Sequence, residues 1–305
     1  MHGARLRGRR RLDVIAQLLV DAKARLGECV LWCELSNSLY WTDIEGCSLS
    51  CWHAADGRLK QWALPQRVGS FALCKGTAKL LLGLASGIAL FDTTSETLSL
   101  VVPVEPEHPA TRINDGRCDP QGRFVFGMFN QTVNGGPIGH FYRVNADLTV
   151  ERLPLPPASV GNSIAFSPDG ATLYYTDSPT RTIYSASYFA DGRIGSPRPF
   201  VRLSASDGYP DGSTVDADGG LWNAQWQGGC VVRYDPSGQE SARFSVPASQ
   251  PTCVAFGGVS LDQLYVTSAR IGLSDEVLET EPQAGGVFVL RPGWLGLPEH
   301  RFSCA

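Results

Sequence analysis

The chain has 305 residues, of which 43% are hydrophobic, and its 26 basic and 30 acidic side chains give a formal net charge of −4. This length can form a large core, and no basic block that could follow a nucleic-acid backbone occurs after the first eleven residues. No run reaches the roughly 18 apolar residues of a transmembrane helix, so we expect neither a nucleic-acid nor a membrane partner.

The N-terminus combines an arginine-rich segment with an apolar stretch from residue 12 to residue 20. We predict a basic, disordered tail over residues 1–11 and a single domain over residues 12–305. With Ala22-Lys23-Ala24 the start of the chain also resembles a weak signal peptide, although Asp13 and Gln17 interrupt the apolar stretch. The odd number of nine cysteines favours a cytoplasmic enzyme with free thiols over a secreted protein.

Four of these cysteines form two C-x3-C pairs separated by 13 residues, namely Cys29, Cys33, Cys47 and Cys51. The pattern allows a thiolate zinc site. The i, i+4 spacing also places both members of a pair on one face of a strand, where a cysteine is an ordinary small buried side chain. We favour packing over zinc.

One unit of sequence recurs six times. It consists of an apolar strand, a turn, a strand rich in large apolar residues, a third strand and a second turn. The second strands start at spacings that average 45 residues, at Leu39, Leu80, Phe124, Leu173, Leu221 and Leu264. The first turn recurs as Asp119-Pro120-Gln121-Gly122, Ser167-Pro168-Asp169-Gly170 and Asp216-Ala217-Asp218-Gly219.

Units of this size with four short antiparallel strands are typical of propeller blades. We therefore predict an all-β fold, a six-bladed β-propeller with four antiparallel strands per blade. The apolar stretch Val14 to Val20 is expected to add an outer strand to the last blade and so close the ring. Two stacked sandwich domains would not predict one unit repeated at near-constant spacing.

Polar residues recur at the start of the innermost strands, 10 or 11 residues before each second strand. Four blades have a carboxylate or an amide there, and two have a serine or a cysteine: Glu28, Asn114, Asn162 and Asp211, then Ser70 and Cys253. In a propeller these positions converge on one mouth of the channel, which is a wet surface in any case. Two carboxylates in a confined channel repel each other unless a cation lies between them, and an amide oxygen completes a set suited to Ca, Mg, Mn or Zn.

The segment Thr111 to Gly116 brings further polar side chains to the same rim. Arg112 has a planar donor fork that suits sugar hydroxyls or a developing carboxylate, and a surface salt bridge is its alternative role. Asn130 and Gln131 follow the second strand of this blade and can either reach the same space or cap their own loop. The sequence contains no H-x-x-x-H metal motif and no G-x-S-x-G nucleophile elbow.

Taken in order, several short motifs resemble the regucalcin (senescence marker protein) and gluconolactonase family of six-bladed propellers. They are Gly27-Glu28, Ile113-Asn114-Asp115-Gly116-Arg117, Gly161-Asn162-Ser163, Tyr174-Tyr175-Thr176-Asp177-Ser178, Pro210-Asp211-Gly212, Tyr265-Val266-Thr267-Ser268-Ala269-Arg270 and Ala284-Gly285-Gly286-Val287-Phe288. The resemblance implies that Glu28, Asn162 and Asp211 bind one divalent cation. It further implies that Arg112 and Asn114 hold a sugar lactone.

The chain departs from the family pattern in two places. Cys29-Val30 follows the first ligand where the family has a small residue and a proline, which should leave that ligand intact. Asn130-Gln131 occupies the place of acidic residues in animal members, which puts an animal-type substrate preference in doubt.

These observations predict a metal-dependent hydrolase of a sugar (aldono) lactone, active in carbohydrate metabolism. The metal, with Ca first and Zn, Mn or Mg as alternatives, would polarise the lactone carbonyl and activate a water. Asp211 is the expected general base, and Arg112, Asn114, Asn130 and Gln131 are the expected substrate-binding residues. A non-catalytic calcium-binding or interaction propeller is the alternative. We expect a cytoplasmic monomer or weak homo-oligomer whose partner is the small lactone.

Overall fold

Six four-stranded antiparallel sheets follow one another along residues 15–304, the part of the chain that the computed structural model describes. Strand β1 (Gln17–Val20) comes first in sequence and belongs to the last sheet. Blade 1 contains β2 (Gly27–Cys33), β3 (Ser38–Asp43), β4 (Ser48–His53) and β5 (Leu59–Ala63). Blade 2 contains β6 (Val68–Leu73), β7 (Lys79–Leu84), β8 (Gly87–Asp92) and β9 (Thr97–Pro103). Blade 3 contains β10 (Thr111–Cys118), β11 (Phe124–Asn130), β12 (Phe141–Val144) and β13 (Val150–Arg152).

Blades 4 to 6 repeat the same order. Blade 4 contains β14 (Gly161–Phe166), β15 (Thr172–Asp177), β16 (Thr182–Ser187) and β17 (Arg198–Arg202). Blade 5 contains β18 (Tyr209–Val215), β19 (Leu221–Trp226), β20 (Cys230–Tyr234) and β21 (Glu240–Ser245). Blade 6 contains β22 (Pro251–Gly257), β23 (Gln263–Ser268) and β24 (Val287–Leu290), together with β1. A short helix α1 (Asp275–Thr280) lies between β23 and β24, and two 3-10 turns span Ser178–Thr180 and Ala205–Asp207. Among the described residues, no helix has the length and apolar character needed to cross a membrane.

The predicted six-bladed propeller is confirmed, and each second strand begins at the predicted residue or one residue before it. β1 pairs antiparallel with β24, with Gln17 opposite Val289, so an N-terminal strand completes blade 6 as expected. Val14, the start of the predicted closing stretch, lies outside the described residues, as does the predicted tail. The turn glycines Gly122, Gly170 and Gly219 have positive φ angles of 80°, 67° and 81°, which explains the glycine in the recurring first turn.

The apolar core is divided among the six interfaces between neighbouring blades, and each interface has its own cluster of buried side chains. Between blades 6 and 1, for example, the rings of Tyr265 and Trp32 stack with centroids 5.7 Å apart. Because burial takes place between blades, the core stabilises the ring without filling its centre.

The paired cysteines are packing residues for the most part. Cys29, Cys33 and Cys51 are buried in the cluster between blades 1 and 2. The expectation that both pairs lie on strands was wrong for Cys47, which is half-buried in the turn before β4 with a φ of 48°. Across residues 15–304 no group of three or more His, Cys, Asp or Glu side chains is arranged to hold a metal, so the zinc alternative has no structural support.

Every innermost strand has an irregular register shortly after its start. The shifts fall between Glu28 and Leu31, Val68 and Ser70, Ile113 and Gly116, Asn162 and Ala165, Pro210 and Ser213, and Pro251 and Val254. A bulge of this kind redirects side chains that regular alternation would place elsewhere. The backbone is left-handed directly after two of the candidate ligands, at Cys29 and Ser163. Bulges therefore set which side chains face the channel mouth.

The other mouth of the channel is crossed by residues 291–304, which we call the C-terminal strap. Its backbone forms hydrogen bonds with four blades, through the pairs Ala217–Leu295, Leu261–Gly296, Leu73–Phe302 and Gly122–Ser303. Arg301 adds a salt bridge to Glu34 in blade 1. These blade residues lie at the ends of the inner strands or in the turns that lead into the second strands, away from the starts of the inner strands. The strap therefore covers the mouth opposite the polar residues.

Candidate active site

A cavity of about 330 Å³ opens where the innermost strands begin. Its lining combines six polar or charged residues with seven apolar or aromatic ones: Glu28, Arg112, Asn114, Asn162, Ser178 and Asp211, with Leu26, Phe129, Val160, Pro179, Tyr209, Trp226 and Ile271. Five of the seven predicted site residues thus share one cavity. They come from blades 1, 3, 4 and 5, and ring closure alone brings them together.

Two carboxylates in this cavity are buried without a basic partner. Glu28 and Asp211 are 8% and 6% exposed, and neither forms a salt bridge within the described residues. Burial, followed by the charge of Asp115, raises the pKa of Glu28 to about 8. Burial, followed by the charge of Glu28, holds the pKa of Asp211 well above its usual range. The protein on its own therefore leaves two acids in a place that disfavours their charge.

A chain of hydrogen bonds connects the polar residues from blade 3 to blade 5. Arg112 Nη1 donates to Asn114 Oδ1 at 2.7 Å, and Asn114 Nδ2 donates to Asn162 Oδ1 at 2.9 Å. Asn162 Nδ2 donates to Ser178 Oγ at 2.9 Å, and Ser178 Oγ donates to the carbonyl of Pro210 at 2.7 Å. The chain ends one residue before Asp211, so it fixes the two amides relative to the backbone next to Asp211.

The backbone of Asp211 is fixed from a second direction. Its carbonyl oxygen accepts hydrogen bonds from Ser163 Oγ at 2.6 Å and from Asn223 Nδ2 at 2.9 Å. Ser163 follows Asn162 in the bulge of β14, so the same bulge orients a candidate ligand and supports its neighbour. Such support from outside the cavity is what a preorganised site needs.

Arg112 is almost fully buried yet keeps free donors. Nη1 donates to Asn114 and to the carbonyl of Ile113, and the guanidinium lies over the ring of Phe129 at 4.7 Å. Within the described residues Nε is buried without a partner and Nη2 forms no hydrogen bond. Burial lowers the pKa of Arg112 to about 10, which still leaves it charged at neutral pH. A ligand that accepts hydrogen bonds would satisfy these donors.

The remaining predicted residues are engaged outside the cavity lining. Asn130 donates from Nδ2 to the carbonyl of Gly136 and accepts from the amide of Thr132. Gln131 accepts from Arg67 Nη1 at 3.0 Å and donates to the carbonyl of Ala110. Both side chains hold loops at the rim in this structure. Their role in substrate binding stays a prediction.

Sequence reasoning missed the aromatic part of the cavity. Phe129 is the register partner of Arg112, and Trp226 is the partner of Tyr209. Tyr209 is also covered by the guanidinium of Arg181, 4.0 Å from the ring centroid. The signal was available, because a residue at the end of a second strand lies beside the start of its inner strand in an antiparallel hairpin.

The donor set fits a divalent cation. Glu28 and Asp211 supply carboxylate oxygens, and Asn162 Oδ1 has a second lone pair beyond the one that accepts from Asn114. All are hard oxygen ligands of the kind that Ca, Mg and Mn prefer. A cation would also remove the cost of placing two unpaired acids in one buried cavity.

The fold and the cavity define a class of protein, a six-bladed propeller with a small-molecule site at one mouth of its channel. Residues 26–270 match the family model described as the SMP-30/Gluconolactonase/LRE-like region. The chain belongs to this family, as its motifs predicted.

Relatives and a solved structure agree with that assignment. The chain is 50% identical to the L-arabinolactonase of Azospirillum brasilense over 289 residues, which cover 94% of this chain and 95% of that protein. It is 37% identical to the 6-deoxy-6-sulfogluconolactonase of Pseudomonas putida over 284 residues, 91% and 95% of the two chains. The crystal structure of regucalcin from Agrobacterium tumefaciens, described as a calcium-binding protein, has a TM-score of 0.90 and 33% identity, covering 95% and 97%. The predicted class, a lactone-hydrolysing enzyme, is the class named for the first two.

Proposed function

We propose that this protein hydrolyses an aldonolactone to the aldonic acid, using one divalent cation held by Glu28, Asn162 and Asp211. The observation that carries the proposal is the joint presence, in one cavity, of two unpaired buried carboxylates and a hydrogen-bonded arginine–amide pair. A pentonolactone such as L-arabinonolactone is the first substrate to test, because the relative at 50% identity is named for it.

Lactone hydrolysis needs a polarised carbonyl, an attacking water and a group that holds the sugar hydroxyls. A divalent cation, when bound, supplies the polarisation as a Lewis acid. Arg112 binds the sugar hydroxyls through Nε and Nη2, the two donors that lack a protein partner among the described residues. Asn114 is fixed between Arg112 and Asn162, so it can orient the ring relative to the cation ligands.

Asp211 is the general base of this proposal. It lies in the cavity beside the end of the hydrogen-bond chain, and its backbone is held by Ser163 and Asn223. A carboxylate in this place accepts a proton from the attacking water as the tetrahedral centre forms. The aromatic side chains Phe129, Tyr209 and Trp226 give the cavity apolar walls that suit the C–H faces of a sugar and exclude bulk water.

The test is a panel of five- and six-membered aldonolactones assayed with protein stripped of metal and then supplied with Ca, Mn, Mg or Zn. We expect hydrolysis to depend on an added divalent cation and to be fastest with one group of aldonolactones. Elemental analysis of the active protein should find one equivalent of metal. Hydrolysis that persists fully in excess chelator would contradict the metal assignment.

A matched control is available in the ring itself. Ser70 occupies the register position of Glu28 in blade 2, but it donates to the carbonyl of Gly116 and does not line the cavity. Ser70→Ala should bind metal and hydrolyse lactone as the wild type does, whereas Glu28→Gln should lose both. Cation binding without hydrolysis of any lactone in the panel would instead support the alternative, a non-catalytic calcium-binding propeller. The structural relative described as a calcium-binding protein favours that alternative.

A further inference from the structure

We propose that Cys74 and Cys304 form a reversible disulfide that fastens the C-terminal strap to blade 2. Their sulfur atoms are 3.1 Å apart, while both residues are free cysteines in this structure. Among the nine cysteines, all of which the structure describes, no other pair shares a sulfur–sulfur contact of hydrogen-bond length. The pair lies at the mouth opposite the proposed active site.

The backbone holds the two residues in place independently of their side chains. Phe302 pairs with Cys74 in a parallel β-bridge, in which the Phe302 amide donates to Leu73 and the Lys75 amide donates to Phe302. The Phe302 side chain is fully buried in the cluster between blades 2 and 3, which also contains Cys74. These contacts fix the strap two residues before Cys304, so the thiols meet without a rearrangement of the fold.

The two thiols differ in access. Cys74 is 1% exposed, and Cys304 is half-buried and lines a surface cleft with Lys75, Lys79 and Asp147. Two lysines against one aspartate make this cleft favourable for an anionic oxidant such as oxidised glutathione. Cys304 is therefore the thiol that a dissolved disulfide reaches first. Burial, and then the neighbouring Cys304 sulfur, raises the pKa of Cys74, which keeps it the second thiol to react.

The reaction is two successive thiol–disulfide exchanges. The Cys304 thiolate attacks one sulfur of oxidised glutathione, forming a mixed disulfide and releasing one glutathione thiolate. The Cys74 thiolate then attacks Sγ of Cys304, forming the protein disulfide and releasing the second glutathione. The two protons of the protein thiols end on the two released glutathione thiols. Glutathione disulfide is reduced by two electrons and the protein pair is oxidised by two.

The consequence is mechanical, because the bond closes a loop from residue 74 to residue 304 that spans five of the six blades. Cross-linking so long a loop restricts the unfolded chain strongly. We expect the oxidised protein to melt about 5 °C or more above the reduced protein. Lactone hydrolysis should be equal in both forms, since the proposed active site is at the other mouth.

The experiment incubates the full-length protein with oxidised glutathione, then measures intact mass and maps peptides without reduction. We expect a loss of two hydrogen atoms, a peptide that links Cys74 to Cys304, and recovery of both thiols in dithiothreitol. Cys304→Ala should show no link and no rise in Tm on oxidation. Cys47→Ala is the matched control, because Cys47 is the other half-buried thiol, and it should behave as the wild type does.

Three outcomes would overturn the proposal. The first is glutathione that stays attached at Cys304 without forming the link. The second is an equal loss of two hydrogens in Cys304→Ala, which would assign the disulfide to another pair. The third is a linked protein whose Tm equals that of the reduced form, which would show that the bond does not fasten the strap.

Discussion

The two mouths of the channel differ in whether their buried charged side chains have partners within the protein. At the mouth with the cavity, Glu28 and Asp211 have no basic partner among the described residues, and Arg112 keeps two free donors. At the mouth under the strap, the guanidinium of Arg117 forms a buried salt bridge with Glu299. Asp119 in the neighbouring turn accepts from Arg123 Nε at 2.5 Å and from the hydroxyl of Tyr188 at 2.7 Å.

The difference separates structure from function. A buried charge that is paired within the protein needs no ligand, and its removal lowers the stability of the fold. A buried charge that is unpaired lowers stability until a ligand binds, so its removal mainly impairs binding and catalysis. Variants at the two mouths should therefore divide cleanly between activity and stability.

The largest effect is expected at Asp211. Asp211→Asn keeps the shape of the side chain but removes a cation ligand and the proposed base, so kcat/KM should fall by about 10²- to 10⁴-fold and metal affinity should drop. The Tm should hold or rise, because one of two repelling carboxylates is gone. Isothermal titration with Ca and Mn, a lactone assay and circular dichroism measure these quantities. Wild-type hydrolysis in Asp211→Asn would refute both roles of the residue.

At the opposite mouth, Glu299→Gln should act on stability. It leaves Arg117 buried without its anion, and Arg117 and Glu299 side chains are only 9% and 10% exposed. Removing one partner of a buried pair costs about 3–5 kcal/mol in the free energy of unfolding. Urea unfolding should show this loss, while kcat/KM stays at the wild-type level. A loss of activity in folded Glu299→Gln would mean that the two mouths are coupled.

Much of the fold could be predicted because its signal is local and repeated. The turn glycines and the aromatic second strands each indicate one hairpin, and the near-constant spacing of the six second strands indicates the repeat. The start of the second strand was placed at Leu39, and the structure begins it at Ser38. The closing strand could be predicted because a propeller ring usually closes by strand exchange between its ends, and the apolar stretch Val14 to Val20 is well placed for it.

The candidate site could be predicted in part. Equivalent positions on the inner strands identified Glu28, Asn114, Asn162 and Asp211, and the ring brings them into one cavity. The same register did not separate these from Ser70 and Cys253, because the bulge and the neighbouring side chains decide which residue faces the cavity. Ser70 Oγ meets the Cys29 sulfur at 3.2 Å instead. Contacts of this kind join different blades, so no single stretch of sequence reports them.

Arg112 carries the next prediction, which concerns substrate and not metal. Arg112→Ala removes charged hydrogen bonds worth roughly 1.5–3 kcal/mol, so kcat/KM should fall by about ten- to a hundredfold with metal affinity nearly unchanged. Arg112→Lys should restore only part of kcat/KM, because the ammonium group of lysine cannot reproduce the planar pair of donors of the guanidinium. Steady-state kinetics on the best lactone compares the three proteins. Equal rates would make Arg112 a structural residue and direct attention to Asn130 and Gln131.

The smallest effect tests the support beneath that arginine. Phe129 lies 4.7 Å below the Arg112 guanidinium, and Phe129→Leu keeps an apolar side chain while removing the ring. A cation–π contact of about 0.5–1 kcal/mol predicts a two- to fivefold fall in kcat/KM, with metal affinity unchanged. The matched control is Phe189→Leu, which removes a comparable contact with Arg193, 5.1 Å away in blade 4 and outside the cavity. If both variants lowered kcat/KM equally, the effect would come from general loosening of the blades. A loss confined to Phe129→Leu would show that the cavity uses its aromatic wall to hold the arginine in place.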